Sequence, residues 1–295
     1  MPGADDVTMV IATRGPSAFF TESLDSALAE LPAEVIVVED GTRGVDEGDL
    51  RGARLLRLDA VGRSAARNAG VDAAATPFVA FQDDDDVTLP GRLGRLRSSL
   101  QQAAASPLSF GPVRVVDGEG RPNREWNDLL AGRARALSRQ GASFAGILES
   151  RCPIYTSATM VRREAFLKVG GYDRQLDAYE DLDLYLRLAR LGALAQCGGD
   201  PVTAYRLHGA NTPSHRLYEG LVAVTAKHLP GARGLERRLL VEWRLEALWG
   251  LGRYPAVRAE GSRAALQDPL LLSRPGFVKR FLGAALPARV RELRR

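Results

Sequence analysis

The chain has 295 residues, 45% hydrophobic and 26% charged, values of an ordinary globular protein with one large domain and an appendage, or two modest domains. No run approaches the roughly 20 apolar residues that span a bilayer. Met1 to Asp6 shows no basic region followed by an apolar run, and Cys152 and Cys197 stand in no metal-ligand spacing. A membrane span, a signal peptide and a thiolate zinc site are thus not expected, and the sequence predicts a cytoplasmic protein. The net charge of +4 is uneven: Thr212 to Arg295 carries 16 basic and 7 acidic residues, the rest of the chain 24 and 29.

The first half alternates β-branched runs with helical patterns, which predicts a parallel sheet with crossover helices. Val7–Ala12 is a buried strand closed by Thr13-Arg14-Gly15-Pro16. A helix follows from about Ser17, with Phe20, Leu24, Ala27, Leu28 and Leu31 at helical spacing. Glu34–Val38 is a second strand ending in Glu39-Asp40-Gly41-Thr42, and Ala53–Leu58 a third. Arg63–Ala75 is a small-residue helix able to pack closely on the sheet. Thr76–Gln82 is a fourth strand and runs straight into Asp83-Asp84-Asp85-Asp86, after which Pro90 starts a helix.

The second part reads as mixed α+β. Leu108–Val116 and the turn Asp117-Gly118-Glu119-Gly120 form a strand or hairpin edge. Thr156–Val161 is a strand, Arg163–Val169 a short helix, Glu180–Leu191 an amphipathic helix and Val202–Leu207 a last strand. Beyond Thr212 the pattern is helical, interrupted by Pro230, Pro255, Pro269, Pro275 and Pro287.

In open parallel sheets, ligands bind beyond the carboxyl ends of the strands. Thr13-Arg14, Glu39-Asp40 and Asp83 to Asp86 should therefore share one rim. Asp40 could accept from the N–H of a base, or simply form an Asp-Gly turn. Four successive aspartates repel one another, which a hard divalent cation would relieve; the alternative is a solvated acidic loop. Glu180 and Asp181 open a helix, where acidic residues favour the dipole and where a carboxylate could also act as general base. His208, at a strand end, is either an exposed residue or a metal ligand, the latter only if that strand returns to the rim.

The segments VTMVIATRG, EVIVVEDGT, GRSAARNAG, PFVAFQDDDDVTLPGRL, MVRREAFLKVGGYD and YEDLDLYLRLARLG, with AYRLHGAN as a looser seventh, stand in an order that resembles the family 2 glycosyltransferases of the GT-A fold. The resemblance covers roughly Val7 to Asn211. It implies a Rossmann-like, mostly parallel α/β sheet with flanking helices in a catalytic domain of residues 1–211. A nucleotide-sugar half (1–117) and an acceptor half (118–211) would make up that domain, and a basic helical region (212–295) would follow.

By the same resemblance Thr13 and Arg14 would meet the nucleoside, and Asp40, beside Glu39, the base. Arg63, Arg67 and Asn68 would approach the donor. Asp83 and Asp85 match the outer carboxylates of the D-x-D motif, with Asp85 a metal ligand, Asp83 a ribose or metal contact and Asp84 their neighbour. Gly170-Gly171-Tyr172-Asp173 matches an acceptor-side turn, Asp181 the catalytic base with Glu180 beside it, and His208 a late metal or diphosphate ligand. Glu39 and Thr42 replace the commoner Asp and Ser, Gly15 stands where many relatives carry Tyr or Asn, and nothing carries over between Gly118 and Pro153.

The activity implied is transfer of a sugar from a nucleotide diphosphate donor, UDP by default, to a glycan, lipid-linked or small-molecule hydroxyl, with inversion and with Mn²⁺ or Mg²⁺. Two rival readings remain. Asp84-x-Asp86-x-Thr88 fits the D-x-D-x-T of haloacid dehalogenase-like phosphatases, with Lys168 as the required lysine. A non-catalytic nucleotide-sugar-binding protein would keep the fold alone. In the basic tail, Phe277, Val278, Phe281, Leu282, Ala285 and Leu286 alternate with Lys279 and Arg280. Such a helix would lie on the inner face of an anionic membrane, or pack on the catalytic domain or a homodimer partner. Nucleic acid is not expected, because stacking aromatics are not interleaved with the charge.

Overall fold

The computed structural model describes residues 4–41, 44–209 and 212–286, so Thr42, Asn211 and Pro287 lie outside the described residues. Its contacts divide the chain into two units, Met1–Gln175 with Asp181–Asn211, and Leu176–Glu180 with Thr212–Arg295.

The first unit opens with β1 (Ala4–Thr13), α1 (Phe20–Leu28), β2 (Pro32–Asp40), β3 (Arg54–Leu58), α2 (Arg63–Ala73), β4 (Phe78–Asp83), β5 (Val87–Thr88) and α3 (Arg92–Gln102). It continues with β6 (Leu108–Phe110), β7 (Val113–Val116), α4 (Arg124–Gln140), α5 (Phe144–Glu149), β8 (Thr159–Arg162), α6 (Arg163–Lys168), α7 (Glu180–Leu188), β9 (Ala195–Gln196) and β10 (Thr203–Arg206). Seven strands form one sheet in the order β3-β2-β1-β4-β8-β6-β9. β1 to β4 are mutually parallel, and β8 runs against both β4 and β6. The buried run Val7, Met9, Val10 and Ile11 of β1 is the continuous apolar strand expected where both sheet faces are covered.

From β1 the chain moves one way to β2 and β3, then returns to place β4 on the other flank of β1. That reversal sets a topological switch point beside β1 and β4, the position beyond the strand ends at which open α/β sheets bind their ligands. α2 lies close over this sheet because its packed face is Ser64, Ala65, Ala66 and Gly70, and a Cβ at Gly70 would run into Val10.

Several elements depart from the sequence reading. The first helix ends at Leu28, and Leu31, expected on its apolar face, has a positive φ and is 65% exposed in the turn to β2. The expected strand Leu108–Val116 is two strands in different sheets. β7 leaves the central sheet after Gly111-Pro112 and pairs in parallel with β10, which runs antiparallel to β5. Strands from both sides of residue 117 therefore share the sheets. The helix expected over Glu180–Leu191 closes at Leu188.

The second unit contains α8 (Ser214–His228), α9 (Gly234–Gly250), α10 (Tyr254–Gln267) and α11 (Pro275–Gly283). Its core is built on Val241, Leu245, Leu248, Val257, Leu271 and Phe277, with Val278 and Phe281 packed against it. Of the apolar stripe of α11, expected either to lie on a lipid surface or to pack on protein, Phe277, Val278 and Phe281 lie on this core and Leu282 is exposed. No helix among the described residues is long and apolar enough to cross a membrane.

Candidate active site

Strand register brings the predicted rim together. Ala12 of β1 pairs with Asp83 of β4, and Thr13 with Glu39 of β2, so three strand ends deliver Thr13, Asp40 and Asp83 side by side. The β5–β10 pairing (Thr203 opposite Thr88, Ala204 opposite Val87) then brings the end of β10 back to the aspartate run. His208 Nε2 lies 2.8 Å from Asp85 Oδ2. The strand that leads to His208 does return to the rim, the condition on which its role as a ligand depends.

The four aspartates have four different environments. Asp83 Oδ1 accepts from Arg67 Nη2 at 2.5 Å, and Arg67, 2% exposed, lies with its guanidinium carbon 5.3 Å from the Tyr172 ring centre. Burial works to raise the Asp83 pKa, but Arg67, with Arg63 and Arg92 behind it, holds it below the usual carboxylate range. Asp84 Oδ2 lies 2.6 Å from the Thr13 hydroxyl. Burial, together with Asp85 and Asp83 and against that hydrogen bond, pushes Asp84 to about 6. Asp85 is also raised, by burial and by Asp83, with His208 opposing. Asp86 is fully buried, accepts from the Arg206 N–H at 2.9 Å, and is pushed well up by burial and by its neighbours Asp83 and Asp85.

The backbone of the run is fastened carbonyl by carbonyl. Ser23 donates to Asp83 O at 3.1 Å, Ser17 to Asp84 O at 3.0 Å, Arg206 Nε to Asp85 O at 2.9 Å and Gln82 Nε2 to Asp86 O at 3.3 Å. Ser157 accepts the Asp83 N–H at 3.0 Å. Side chains from α1 and the loop before it, β4, β8's leading turn and β10 thus hold a loop whose own charges would push it apart.

Other predicted residues serve the scaffold more than the open rim. Both oxygens of Asp40 accept backbone N–H groups, from Val61 at 2.7 Å and Gly62 at 2.8 Å, fixing the loop that leads into α2. An ionised carboxylate has about four acceptor positions, so capacity remains for a base N–H. Glu39 is buried and accepts from the amides of Gly44 and Val45 and from Arg57. Burial would raise its pKa, but those donors hold it below the usual range.

Asn68 is locked to the Gly170–Asp173 turn: its Nδ2 donates to Tyr172 O at 2.9 Å and its Oδ1 accepts the Tyr172 N–H at 2.8 Å. Gly171 has φ +68, and a Cβ there would come within 2.7 Å of Asn68 Oδ1, so the glycine and the asparagine fit as a pair. Arg14 and Arg63 are exposed at their loop and helix start.

Asp181 sits in the first turn of α7, with its Oδ1 accepting the Leu182 N–H at 2.7 Å, and Glu180 beside it is buried. Its charge acts on Cys152 and Tyr185, raising both behind the larger effect of burial. Tyr185 OH lies 3.5 Å from Thr156 Oγ1, and the next residue, Ser157, holds the Asp83 amide. The turn before β8 thus connects Tyr185 of α7 to the aspartate run.

Among the described residues, no set of three or more His, Cys, Asp and Glu side chains is disposed to hold a metal by itself. The Asp85–His208 pair, one carboxylate oxygen and one imidazole nitrogen 2.8 Å apart, suits a cation that takes few protein ligands and completes its shell with phosphates and water. The phosphatase reading loses its footing here, because Asp86 is enclosed and the Thr88 hydroxyl is bonded to Gln82 and Arg92. A cleft of about 420 Å³ in the helical unit, lined by residues including Leu229, Val241, Arg244 and Glu260, contains none of the predicted site residues. Sequence reasoning missed Arg206 and Ser157. Arg206 stands two residues before His208, the spacing at which neighbours on an extended strand share a face.

The sequence model described as "Glycosyltransferase like family 2" matches residues 52–221, more than half of the chain. The chain belongs to the family 2 glycosyltransferases. Succinoglycan biosynthesis protein ExoU of Rhizobium meliloti is 30% identical over 247 residues, 75% of this chain and 70% of that protein. The pre-mycofactocin glycosyltransferase of Mycobacterium tuberculosis is 32% identical over 203 residues, 65% of this chain. This glycosyltransferase chain therefore spans about two fifths of that relative, 41% of its length. The crystal structure of S. aureus TarS 1–349 in complex with UDP-GlcNAc superposes with a TM-score of 0.59 at 15% identity, over 96% of this chain and 82% of that one, a likeness of fold.

Proposed function

We propose that the chain transfers a glycosyl group from a nucleoside diphosphate sugar to an acceptor hydroxyl, with inversion at the anomeric carbon and with Mn²⁺ or Mg²⁺ as cofactor. The observation that carries this reading is the meeting, at one switch point, of Thr13, Asp83, Asp84, Asp85 and a His208 returned from 123 residues further along the chain. The TarS complex with UDP-GlcNAc and the succinoglycan relative favour a UDP-sugar donor and a glycan product.

In this mechanism the acceptor oxygen attacks the anomeric carbon as the bond to the diphosphate breaks. The hydroxyl proton passes to a carboxylate oxygen of Asp181, and the negative charge moves onto the departing diphosphate. A cation held by Asp85 and His208 would neutralise that charge, a Lewis-acid role worth several kcal/mol. Arg67 orients Asp83, Thr13 orients Asp84, and Asp40 fixes the loop beside the nucleoside end. Holding donor and acceptor in line supplies much of the remaining acceleration.

A thermal-shift screen of nucleoside diphosphates with and without Mn²⁺ tests the reading, since a ligand that binds only the native state raises its stability by mass action. UDP with Mn²⁺ should give the largest shift, and UDP-sugars should then release UDP. A protein stabilised by UDP that never turns over a UDP-sugar would be a binding protein of this fold. Phosphate release from small esters would instead revive the phosphatase.

A further inference from the structure

We propose that Arg206 is the positioning residue of the cation site: its guanidinium sets the backbone of Asp85 and the placement of His208 together. This rests on the reading of Asp85 and His208 as ligands and adds a residue to which no role had been given.

Arg206 is 4% exposed, and an arginine so buried is expected to be fully engaged. Nε donates to Asp85 O at 2.9 Å, Nη1 to Gly118 O at 3.2 Å and Nη2 to Glu22 Oε2 at 2.7 Å. The guanidinium carbon lies 4.2 Å from the centre of the Phe19 ring, and the residue's own N–H holds Asp86 Oδ1 at 2.9 Å. One side chain thus fastens four segments, the aspartate run, the turn after β7, α1 and the loop before it.

Two features single out this arginine among the fasteners of the run. Of the four side chains that hold the carbonyls of residues 83 to 86, it is the charged one, and hydrogen bonds from a charged donor are about twice as strong as neutral ones. It is also linked to both residues of the pair. It bonds the backbone of Asp85, it precedes His208 by two residues, and the Phe19 ring that it covers lies 5.5 Å from the His208 ring. Its planar fork serves two carbonyls and a carboxylate at once, a geometry that a lysine ammonium on a flexible stem does not reproduce.

A plain ion-pair role predicts something else. Glu22 is exposed, and if the pair with Glu22 were the purpose of Arg206, breaking it from either side would have the same small effect.

The test is Mn²⁺ uptake in the presence of saturating UDP, read as loss of the free Mn²⁺ signal by electron paramagnetic resonance, with Tm measured on each variant. Arg206→Lys and Arg206→Met should weaken uptake at least tenfold and raise the donor KM more than they lower kcat. Glu22→Gln should stay within about twofold of wild type. If Arg206→Met does not fold, Arg206→Lys carries the test, because it keeps the charge and the stem. Wild-type uptake that Arg206→Lys leaves intact, or equal loss in Glu22→Gln, would overturn the positioning role alone. A wild-type protein that takes up no Mn²⁺ with UDP present would overturn the cation site and this proposal with it.

Discussion

His208 Nε2 and Asp85 Oδ2 stand 2.8 Å apart although 123 residues separate them in the chain. The two-residue strand β5, which directly follows the aspartates, creates this pair by giving β10 an antiparallel partner. His208→Ala should weaken Mn²⁺ uptake with UDP by roughly tenfold or more, since an imidazole nitrogen is replaced by water, while Tm without ligand changes little. Unchanged uptake would remove His208 from the site.

The run of aspartates carries a pH signature in Asp84. Its carboxyl is raised from 3.8 to about 6, chiefly by burial, so the folded protein holds a proton there that the unfolded chain has released. Stability therefore falls as pH rises from about 4 to 6, and above 6 the ionised Asp84 costs its full amount, at most about 3 kcal/mol. Asp84→Asn keeps an oxygen for the Thr13 hydroxyl and removes the charge. In the presence of a chelator, the variant should melt above wild type at pH 7.5, with the gap closing by pH 4. A gap that does not vary with pH would mean that Asp84 titrates normally.

The apolar strands of the central sheet were legible because β-branched runs such as VTMVIA and EVIVV leave few alternatives, and the polar residues at their ends located the rim. The division of labour within the rim was not. Four identical aspartates in a row give no clue that one pairs with Arg67, one with Thr13, one with His208 and one with a backbone amide; those partners come from three distant segments. α4 escaped notice because only Leu130 and Leu137 of its 17 residues are buried, too few to print a helical stripe. Leu31 misled for the opposite reason: it fits the period of the first helix but lies beyond its end, where the chain turns with a positive φ.

Asn68 separates a scaffold role from donor binding. Its amide closes a reciprocal pair with the backbone of Tyr172. Asn68→Ala would leave that N–H and C=O without their partner, a loss of about 1–3 kcal/mol. Tm should fall accordingly, while the stabilisation gained on adding UDP and Mn²⁺ should match wild type. A collapse of the UDP response in a well-folded variant would instead put Asn68 against the donor.

Asp40 should fail in both respects at once. Its two oxygens hold the amides of Val61 and Gly62, and an asparagine offers one acceptor oxygen where the carboxylate offers two. Asp40→Asn therefore releases part of the loop leading into α2, and the charged acceptor proposed for a base N–H is lost with it. A lower Tm together with a several-fold higher donor KM is the expected pair of results. A lower Tm with unchanged KM would confine Asp40 to the scaffold.

Asp181→Asn decides the assignment of the base. Asparagine preserves the size of the side chain and an oxygen for the Leu182 amide, so α7 should start as before. What disappears is the ability to take the acceptor proton, and general bases contribute about 10²–10⁴-fold to such steps. Transfer should drop by about that factor, whereas UDP with Mn²⁺ should still raise Tm as it does for wild type, because the donor contacts proposed for Thr13, Asp83 and Asp85 are untouched. Slow hydrolysis of the donor by water should suffer less than transfer, since a reaction without the sugar acceptor depends less on the base that serves it. If transfer in the variant proceeds at the wild-type rate, the proton leaves by another route and Asp181 is an N-terminal residue of α7 and nothing more.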